Sequence, residues 1–295
     1  MADRQRVTTA VFPVAGLATR FLPATKAIPK LLLPLLDKPT IQYGVEEAIS
    51  SGIEEIVMVT GGVNDMIRQH FTPNPGLEET LELRGKKDLL DTVRAVDELA
   101  RKVQIAYVEQ QEPLGLGHAV WTARQLVAGQ AVGCLLPDDV IVGAAPCLAQ
   151  LIKVHEERGG TVLAAYRVPQ EQVGRYGVIA SSRSEGRLHE VADVVEKPDP
   201  SQAPSNLAIL GRYVLAPDVF AALDEQRPGA GGEIQLTDGI RSTIGSGKVW
   251  ALEFEGEYLD TGEIGGYIRA NVAMALRDPR LRARLEPQLR ALIER

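Results

Sequence analysis

The chain has 295 residues, of which 45% are hydrophobic and 24% charged, values typical of a folded globular protein rather than a disordered one. No apolar run reaches the roughly 18 residues that a membrane-spanning helix needs, and residues 1–12 lack the order of a signal peptide, so we expect a cytoplasmic protein with no membrane partner. The net charge of −7 argues against a nucleic-acid partner, because neutralisation of phosphates supplies most of that affinity.

Short β-branched runs alternate with helix-like segments along the first half of the chain. The predicted strands cover residues 7–14, 54–61, 103–109, 131–137 and 161–168, and the predicted helices cover 41–52, 78–102, 118–127 and 146–158. This alternation predicts an α/β fold of Rossmann-like form, in which helices flank a mostly parallel central sheet.

The second half of the chain is richer in strands. The runs YGVIAS, LHEVADVVEKP and LAILGRYVL are expected to extend or edge the same sheet. No repeat or low-complexity linker divides the sequence, so we expect a single domain over residues 1–295.

The last part of the chain, from about residue 264 to residue 295, is predicted to be helical. Its leucines recur along one helical face, at positions 281, 285, 289 and 292, and the stretch at 274–295 carries six arginines. A docking helix with a solvated basic face is the simpler interpretation. A subunit contact or an anionic surface site is the alternative.

The segment at 14–39, which follows the first predicted strand, is basic in an acidic protein. Between positions 14 and 36 it carries three cations, Arg20, Lys26 and Lys30, and no acidic residue. Ligands of α/β sheets bind beyond the carboxyl ends of strands, where loop N–H groups can meet phosphate oxygens. We therefore predict an anion site here. Solvated surface charge is the competing interpretation of the two lysines.

Two common phosphate-binding motifs do not fit this segment. A dinucleotide fingerprint needs three glycines that lead into a helix, whereas Gly16 is followed by Ala18 and by four prolines. A Walker loop needs the tripeptide GK[ST], which does not follow Gly16. A dinucleotide-dependent oxidoreductase and a P-loop ATPase are therefore disfavoured.

A carboxylate site is predicted where the strand at 131–137 ends. Asp138 and Asp139 follow this strand directly, and Asp260 follows another extended run. Mg²⁺ usually takes one or two carboxylates and completes its shell with phosphates and water. A turn or cap for Asp139, and a helix N-cap for Asp260, are the structural alternatives.

The segment PVAGLATRFLPATKAIPK resembles the motif of the sugar-nucleotide pyrophosphorylases (nucleotidylyltransferases). In that motif GxGTR is followed, after a proline-rich interval, by PK. Further segments that resemble this family in order and spacing are GLGHAV, LPDDV, VVEKP, APSNLAILGRYVL and GGEIQLTDGI. The resemblance extends from about residue 7 to about residue 267 and is strongest to the bacterial members that use UTP and glucose 1-phosphate.

This resemblance implies a magnesium-dependent transfer of a uridylyl group from UTP to glucose 1-phosphate, giving UDP-glucose and pyrophosphate. It implies a single domain of the nucleotide-diphospho-sugar transferase type and, since family members are often dimers or tetramers, a homo-oligomer. The same chemistry with dTTP or another sugar 1-phosphate, and a weakly active regulatory paralogue, are the alternatives.

The resemblance also implies roles for individual residues. Arg20 is expected on the leaving β- and γ-phosphates, and Lys30 near the α-phosphate. The other implied residues are Ala15, Gly16, Lys26, Gln110 and Gly115 for the nucleotide, Gly177, Glu196 and Lys197 for the sugar phosphate, and Asp138 and Asp260 for the metal. A tight turn at Gly115 and a strand-end ion pair of Glu196 with Lys197 are the structural alternatives.

Three positions depart from the family pattern. Ala18 stands where glycine is usual, and a methyl group there would weaken triphosphate binding if the position needs a positive φ. Leu31 stands where this group usually has glutamate. Ile264 stands where a lysine often follows the Asp-x-Gly of the metal site.

Overall fold

A computed structural model describes residues 6–16, 18–61, 65–127, 129–225 and 232–294. Their strands are β1 (Thr9–Pro13), β2 (Pro34–Leu35), β3 (Lys38–Pro39), β4 (Glu55–Thr60), β5 (Gln104–Glu109), β6 (Val132–Leu135), β7 (Asp139–Val142), β8 (Thr161–Arg167), β9 (Gly177–Glu185), β10 (Leu188–Glu196), β11 (Leu207–Leu215), β12 (Val249–Glu253) and β13 (Glu257–Asp260). Their α-helices are α1 (Thr40–Ser50), α2 (Asp65–His70), α3 (Pro75–Leu83), α4 (Lys87–Arg101), α5 (Leu116–Thr122), α6 (Arg124–Val127), α7 (Cys147–Arg158), α8 (Pro217–Glu225), α9 (Leu236–Thr243), α10 (Ile264–Arg277) and α11 (Pro279–Ile293).

The large sheet has the strand order β5-β4-β1-β6-β11-β8-β12-β10-β9. Strands β5, β4, β1 and β6 run parallel to one another, and so do β8 and β12. Strand β11 is antiparallel to both of its neighbours, β6 and β8. Strand β9 pairs with β10 and also with β11, so the second half of the sheet curls and closes on itself.

The predicted α/β fold is therefore confirmed, but the prediction of a mostly parallel sheet is wrong beyond β6. The expectation that the later strands extend or edge the sheet is confirmed for β9 and β10, which lie at one end of it, but is wrong for β11, which lies at its centre. All nine residues of β11 are buried. A strand covered on both faces has the same continuous apolar run in either direction, so its sequence does not reveal its orientation.

Two predicted helices are each divided in the structure. The polar stretch at 78–102 contains the end of α3 and all of α4, which are separated at Gly85 with φ 63°. The helix predicted at 118–127 is α5 followed by α6, with Ala123 between them. Local turns interrupt both segments without changing the order of the elements.

Alternate residues of the first strands point to opposite faces of the sheet, as the period of a strand requires. In β1, Phe12 contributes to the core that α1 and α7 cover, and Val11 to the core beneath α5, α8 and α9. Helices therefore cover both faces, as predicted. This double cover holds the carboxyl ends of β1, β5 and β6 in fixed relation to one another.

The predicted C-terminal helical segment consists of α10 and α11. Helix α10 joins a small core through Ala270, which packs with Leu35, Val140 and Leu259. Helix α11 has no buried residue. Among the helices that the structure describes, none is both long and apolar enough to cross a membrane.

Candidate active site

Three adjoining cavities lie beyond the carboxyl ends of β1, β5 and β6. We name them by one lining residue each: the Lys30 cavity of about 530 Å³, the Glu196 cavity of about 410 Å³ and the Gln110 cavity of about 440 Å³. Asp138 lines both of the first two, and Gly16 lines both the Lys30 and the Gln110 cavities. The three cavities therefore form one continuous cleft.

Every site residue implied by the sequence resemblance lines this cleft. The Lys30 cavity is lined by Ala15, Gly16, Lys26, Lys30 and Asp138; the Gln110 cavity by Ala15, Gly16, Gln110 and Gly115; and the Glu196 cavity by Arg20, Asp138, Gly177, Glu196, Lys197 and Asp260. Residues that are far apart in sequence thus meet in one place.

The basic segment after β1 forms short 3-10 turns rather than a helix. Lys30 lies in one such turn, and its Nζ is 2.6 Å from Asp138 Oδ2. Its side chain is only 21% exposed, so solvated surface charge is the wrong interpretation of this lysine. Lys26 and Arg20 are exposed at the rim of the cleft. The segment therefore presents one anchored cation and two freer ones.

Ala18 has a left-handed backbone, with φ 50° and ψ 38°, at the start of the turn that contains Arg20. An L-residue with a Cβ pays roughly 1–2 kcal/mol for this conformation, and glycine does not. The conditional expectation from the sequence, that this position needs a positive φ, is met. The methyl group of Ala18 consequently stores strain in the wall between two cavities.

Replacement of Ala18 by glycine is expected to stabilise the fold by about 0.5–1 kcal/mol, because strain relief exceeds the entropy cost of glycine. Urea unfolding measures this free energy. Ala27→Gly is the matched control, since Ala27 lies in the same segment with φ −120°, and it is expected to lose about 0.5–1 kcal/mol. Equal losses at both positions would contradict the strain.

Two carboxylates face one space where the Lys30 and Glu196 cavities meet. A Cβ built on Gly262 would lie 3.1 Å from Asp138 Oδ2 and 3.1 Å from Asp260 Oδ1. Thr261 binds the Asp138 carbonyl through its N–H and its hydroxyl, at 2.9 Å and 2.7 Å. The pairing of β13 with β7 therefore brings together two aspartates that are distant in sequence.

These carboxylates fit a hard cation that needs few protein ligands. Among the described residues, no group of three or more His, Cys, Asp or Glu side chains could hold a metal. Two carboxylates that share a space kept open by a glycine are a donor set suited to Mg²⁺.

The alternative role of Asp260 as a helix N-cap is wrong. Glu263 caps α10, accepting hydrogen bonds from the N–H groups of Gly265 and Gly266. Asp260 instead accepts from the N–H of Gly262 at 2.7 Å and from Arg175 Nη2 at 2.8 Å. Its carboxylate therefore points into the Glu196 cavity rather than to the helix.

Asp139 has a structural role behind Asp138. Its carboxylate accepts hydrogen bonds from the Gly211 N–H and the Tyr258 hydroxyl, each at 2.8 Å. Burial, followed by the nearby charge of Asp138, raises the pKa of Asp139 to about 6. The turn interpretation is correct, because the Asp139 N–H donates to the Leu136 carbonyl at 3.1 Å, and the carboxylate also ties the start of β7 to β11 and β13.

The Glu196 carboxylate is held on two sides. It accepts from Thr237 Oγ1 at 2.7 Å and pairs with Lys197 Nζ at 3.1 Å, so the predicted strand-end ion pair exists inside the cleft. Lys197 is half exposed and has φ 45°. A Cβ on Gly177 would lie 3.3 Å from Glu196 Oε2. Glycine there keeps the carboxylate accessible.

The packing around Gly115 and Gly117 explains why both positions are glycine. A Cβ on either glycine would lie 2.8 Å from the carbonyl oxygen of Ile234, and Gly115 has φ 105°. The turn interpretation is correct for Gly115, which directly precedes α5, but not for Gly117, which lies inside that helix. The lack of a Cβ at both positions lets the chain at 232–235 approach closely enough for Glu233 to line the Gln110 cavity.

Several residues of the cleft were not predicted from the sequence. Arg175 pairs with Asp260, Thr237 binds Glu196, and Tyr258 binds Asp139. No local pattern marks these residues. Two of them did have an indirect signal: Thr237 lies in GGEIQLTDGI, a segment that resembles the family, and Tyr258 lies in the extended run that precedes Asp260.

Comparison with known proteins shows which family this chain belongs to. Residues 10–276 match the model of the family described as Nucleotidyl transferase. The UTP–glucose-1-phosphate uridylyltransferase of Bacillus subtilis (strain 168) is 46% identical over 291 residues, which is 99% of this chain and 99% of that protein.

Solved structures are similar over nearly the whole chain. UDP-glucose pyrophosphorylase complexed with UDP-glucose aligns with a TM-score of 0.83 at 36% identity, covering 92% of this chain and 99% of that one. UTP-bound UGPase from Acinetobacter baumannii aligns with a TM-score of 0.86 at 36% identity, covering 96% and 98%. From its sequence, its fold and the residues of its cleft, this chain belongs to the nucleotidyl transferase family.

Proposed function

We infer that this protein transfers a uridylyl group from UTP to glucose 1-phosphate, releasing pyrophosphate and forming UDP-glucose. The observation that carries this inference is the contact of Lys30 Nζ with Asp138 Oδ2, 2.6 Å apart, at the wall between two cavities. A cation and a carboxylate at such a junction suit the meeting of two phosphorylated substrates. Full-length relatives named for this reaction support the choice of substrates.

The reaction is a direct displacement in which a phosphate oxygen of glucose 1-phosphate attacks the α-phosphorus of UTP. The bond from that phosphorus to the bridging oxygen breaks, and pyrophosphate leaves with the electron pair. Catalysis then depends on positioning two anions and neutralising their charge. We assign Lys30 to the α-phosphate, and Arg20 and Lys26 to the leaving phosphates. We assign the backbone groups of Ala15 and Gly16 to contact with the nucleotide.

The remaining assignments follow the three cavities. Gln110 and Gly115 would contact the base, and Glu196 would accept hydrogen bonds from sugar hydroxyls. Lys197 and Gly177 would contact the sugar phosphate. Asp138 and Asp260 would hold Mg²⁺, which neutralises phosphate oxygens when it is bound.

We further propose that residues 1–295 act as one nucleotidyltransferase domain with α10 and α11 at its edge, and that the protein forms a homodimer or homotetramer. Helix α11, which has no buried residue, leaves a face available for a subunit contact. Light scattering of the purified protein measures the assembly directly.

The defining experiment is pyrophosphate release with Mg²⁺ and glucose 1-phosphate, with UTP, dTTP, ATP, CTP and GTP offered separately. Fast release with UTP is the expected result. Faster release with dTTP would show that the protein catalyses the same reaction with a different nucleotide. No release of pyrophosphate with any nucleotide and any sugar phosphate tested would favour the regulatory paralogue, for which Ala18 and Ile264 are the only support.

Replacement of Asp138 or Asp260 by asparagine is expected to raise the Mg²⁺ concentration needed for half-maximal rate by at least about tenfold, because each variant removes a charged ligand. Binding of Mn²⁺, followed by paramagnetic resonance, gives a readout independent of turnover. Asp193→Asn is the control, since Asp193 pairs with Arg241 outside the cleft. Unchanged metal affinity in Asp260→Asn would leave Asp260 only its contacts with Arg175 and Gly262.

A further inference from the structure

The side chain of Gln110 is buried at 6% exposure and lines the Gln110 cavity. Its Nε2 lies 3.2 Å from the Gly115 carbonyl oxygen and 2.9 Å from His118 Nδ1. A primary amide nitrogen has two hydrogens and accepts no hydrogen bond. These two neighbours therefore use both of the donors that the Gln110 amide possesses.

The chemistry of the neighbours determines which way this amide points. A carbonyl oxygen can only accept, so the reversed amide would set Gln110 Oε1 against the oxygen of Gly115. His118 Nδ1 accepts from the amide when the ring is neutral with its proton on Nε2. With both N–H donors used in this way, Oε1 is the atom of the Gln110 amide that remains to bind a ligand, and it can only accept a hydrogen bond. No hydrogen bond to Oε1 occurs among the residues that the structure describes.

The ring of His118 is itself held in place. It stacks on the Trp121 ring one turn along α5, with centroids 5.5 Å apart and an angle of 26° between the planes. The Arg124 guanidinium lies 3.4 Å from the centroid of the same Trp121 ring. Stacked rings lose few rotamers when they bind a further group, so His118 is a rigid acceptor for the amide.

We propose that His118 is a positioning residue for base selection. By engaging the second N–H of Gln110, it makes this side chain an acceptor toward the base and thereby selects a pyrimidine that carries a hydrogen on N3. Uracil and thymine carry this hydrogen, whereas N3 of cytosine is itself an acceptor. Two acceptors would then face each other across the cavity, and a mismatch of this kind costs a buried site heavily. This proposal rests on the proposed contact of Gln110 with the base.

The test compares kcat/KM for UTP and for CTP in the intact protein and in variants of His118. His118→Phe keeps a ring but removes the acceptor. The second N–H of the Gln110 amide is then free to donate to N3 of cytosine, while the first still donates to the Gly115 carbonyl. The ratio of kcat/KM for UTP to that for CTP is expected to fall by roughly tenfold or more. His118→Asn has an oxygen where Nδ1 was and is expected to restore most of the ratio. His118→Leu, which is smaller, replaces the phenylalanine variant if that protein does not fold.

The control is His155→Phe, because His155 Nδ1 lies 2.6 Å from the Gly160 carbonyl oxygen at the far end of α7. Its UTP-to-CTP ratio is expected to equal that of the unaltered protein. An unchanged ratio in folded His118→Phe or His118→Leu would overturn the proposal, and so would an equal fall in His118→Asn. If the unaltered protein does not turn over UTP, the proposed function itself fails, which is a separate result.

Discussion

Lys30→Met is expected to reduce turnover by roughly 10²- to 10³-fold with the fold intact, the effect typical of removing one preorganised electrostatic group from a reacting centre. Methionine keeps the length of the side chain and removes its charge. The lysine Nζ lies 2.6 Å from Asp138 Oδ2 with only 21% of the side chain exposed, so it is held in the cleft before substrates arrive. Initial rates of pyrophosphate release measure the effect, and circular dichroism reports the fold.

The matched control for this variant is Lys38→Met. Lys38 Nζ also lies 2.6 Å from a carboxylate oxygen, that of Glu46, but it lines none of the three cavities. Its loss is expected to change turnover by less than about twofold, since Lys38 lies outside the cleft and solvent partly screens its ion pair, whose side chains are 33% and 34% exposed. A folded Lys30→Met protein that turns over at the rate of Lys38→Met would rule out a role for Lys30 at the reacting phosphates.

Arg212→Met is expected to destabilise the protein by about 3–5 kcal/mol, because it leaves a buried carboxylate without its partner. Arg212 is 1% exposed, and Glu47, its partner, is 9% exposed. The guanidinium donates to both Glu47 oxygens at 2.8–3.0 Å and to the Leu136 carbonyl at 2.9 Å. Urea unfolding measures the loss, and turnover should fall as well, since Leu136 lies two residues before Asp138.

The control for the buried pair is Arg241→Met. Arg241 makes an equally two-pronged contact with Asp193, at 2.6 Å and 2.8 Å, but the two side chains are 53% and 38% exposed. Solvent screens this pair, so a loss of at most about 1 kcal/mol is expected. The double variant Glu47→Leu/Arg212→Met should be more stable than Arg212→Met alone, because it leaves no unpaired charge. Similar losses for Arg212→Met and Arg241→Met would show that burial of the ion pair is unimportant.

Local signals in the sequence were enough to indicate which residues line the cleft. The basic, proline-rich segment with Arg20 and Lys30, the aspartates after the strand, and the family wording around Glu196 are all recognisable from the order of the residues alone. Most helices and strands were predictable from the spacing of apolar residues, because residues that are near one another in the chain produce that spacing. The left-handed backbone at Ala18 was predicted only as a condition, from the glycine usual at that position.

Only the tertiary structure decided how these residues meet. No local pattern encodes four features of the structure. They are the direction of β11, the approach of Asp260 to Asp138, the Arg212–Glu47 ion pair and the orientation of the Gln110 amide. Each depends on groups that are apart in sequence and come together when both faces of the sheet are covered. A hydrophobic pattern records that a side chain is buried, but not which partner it meets there, because burial is non-directional and hydrogen bonds are not.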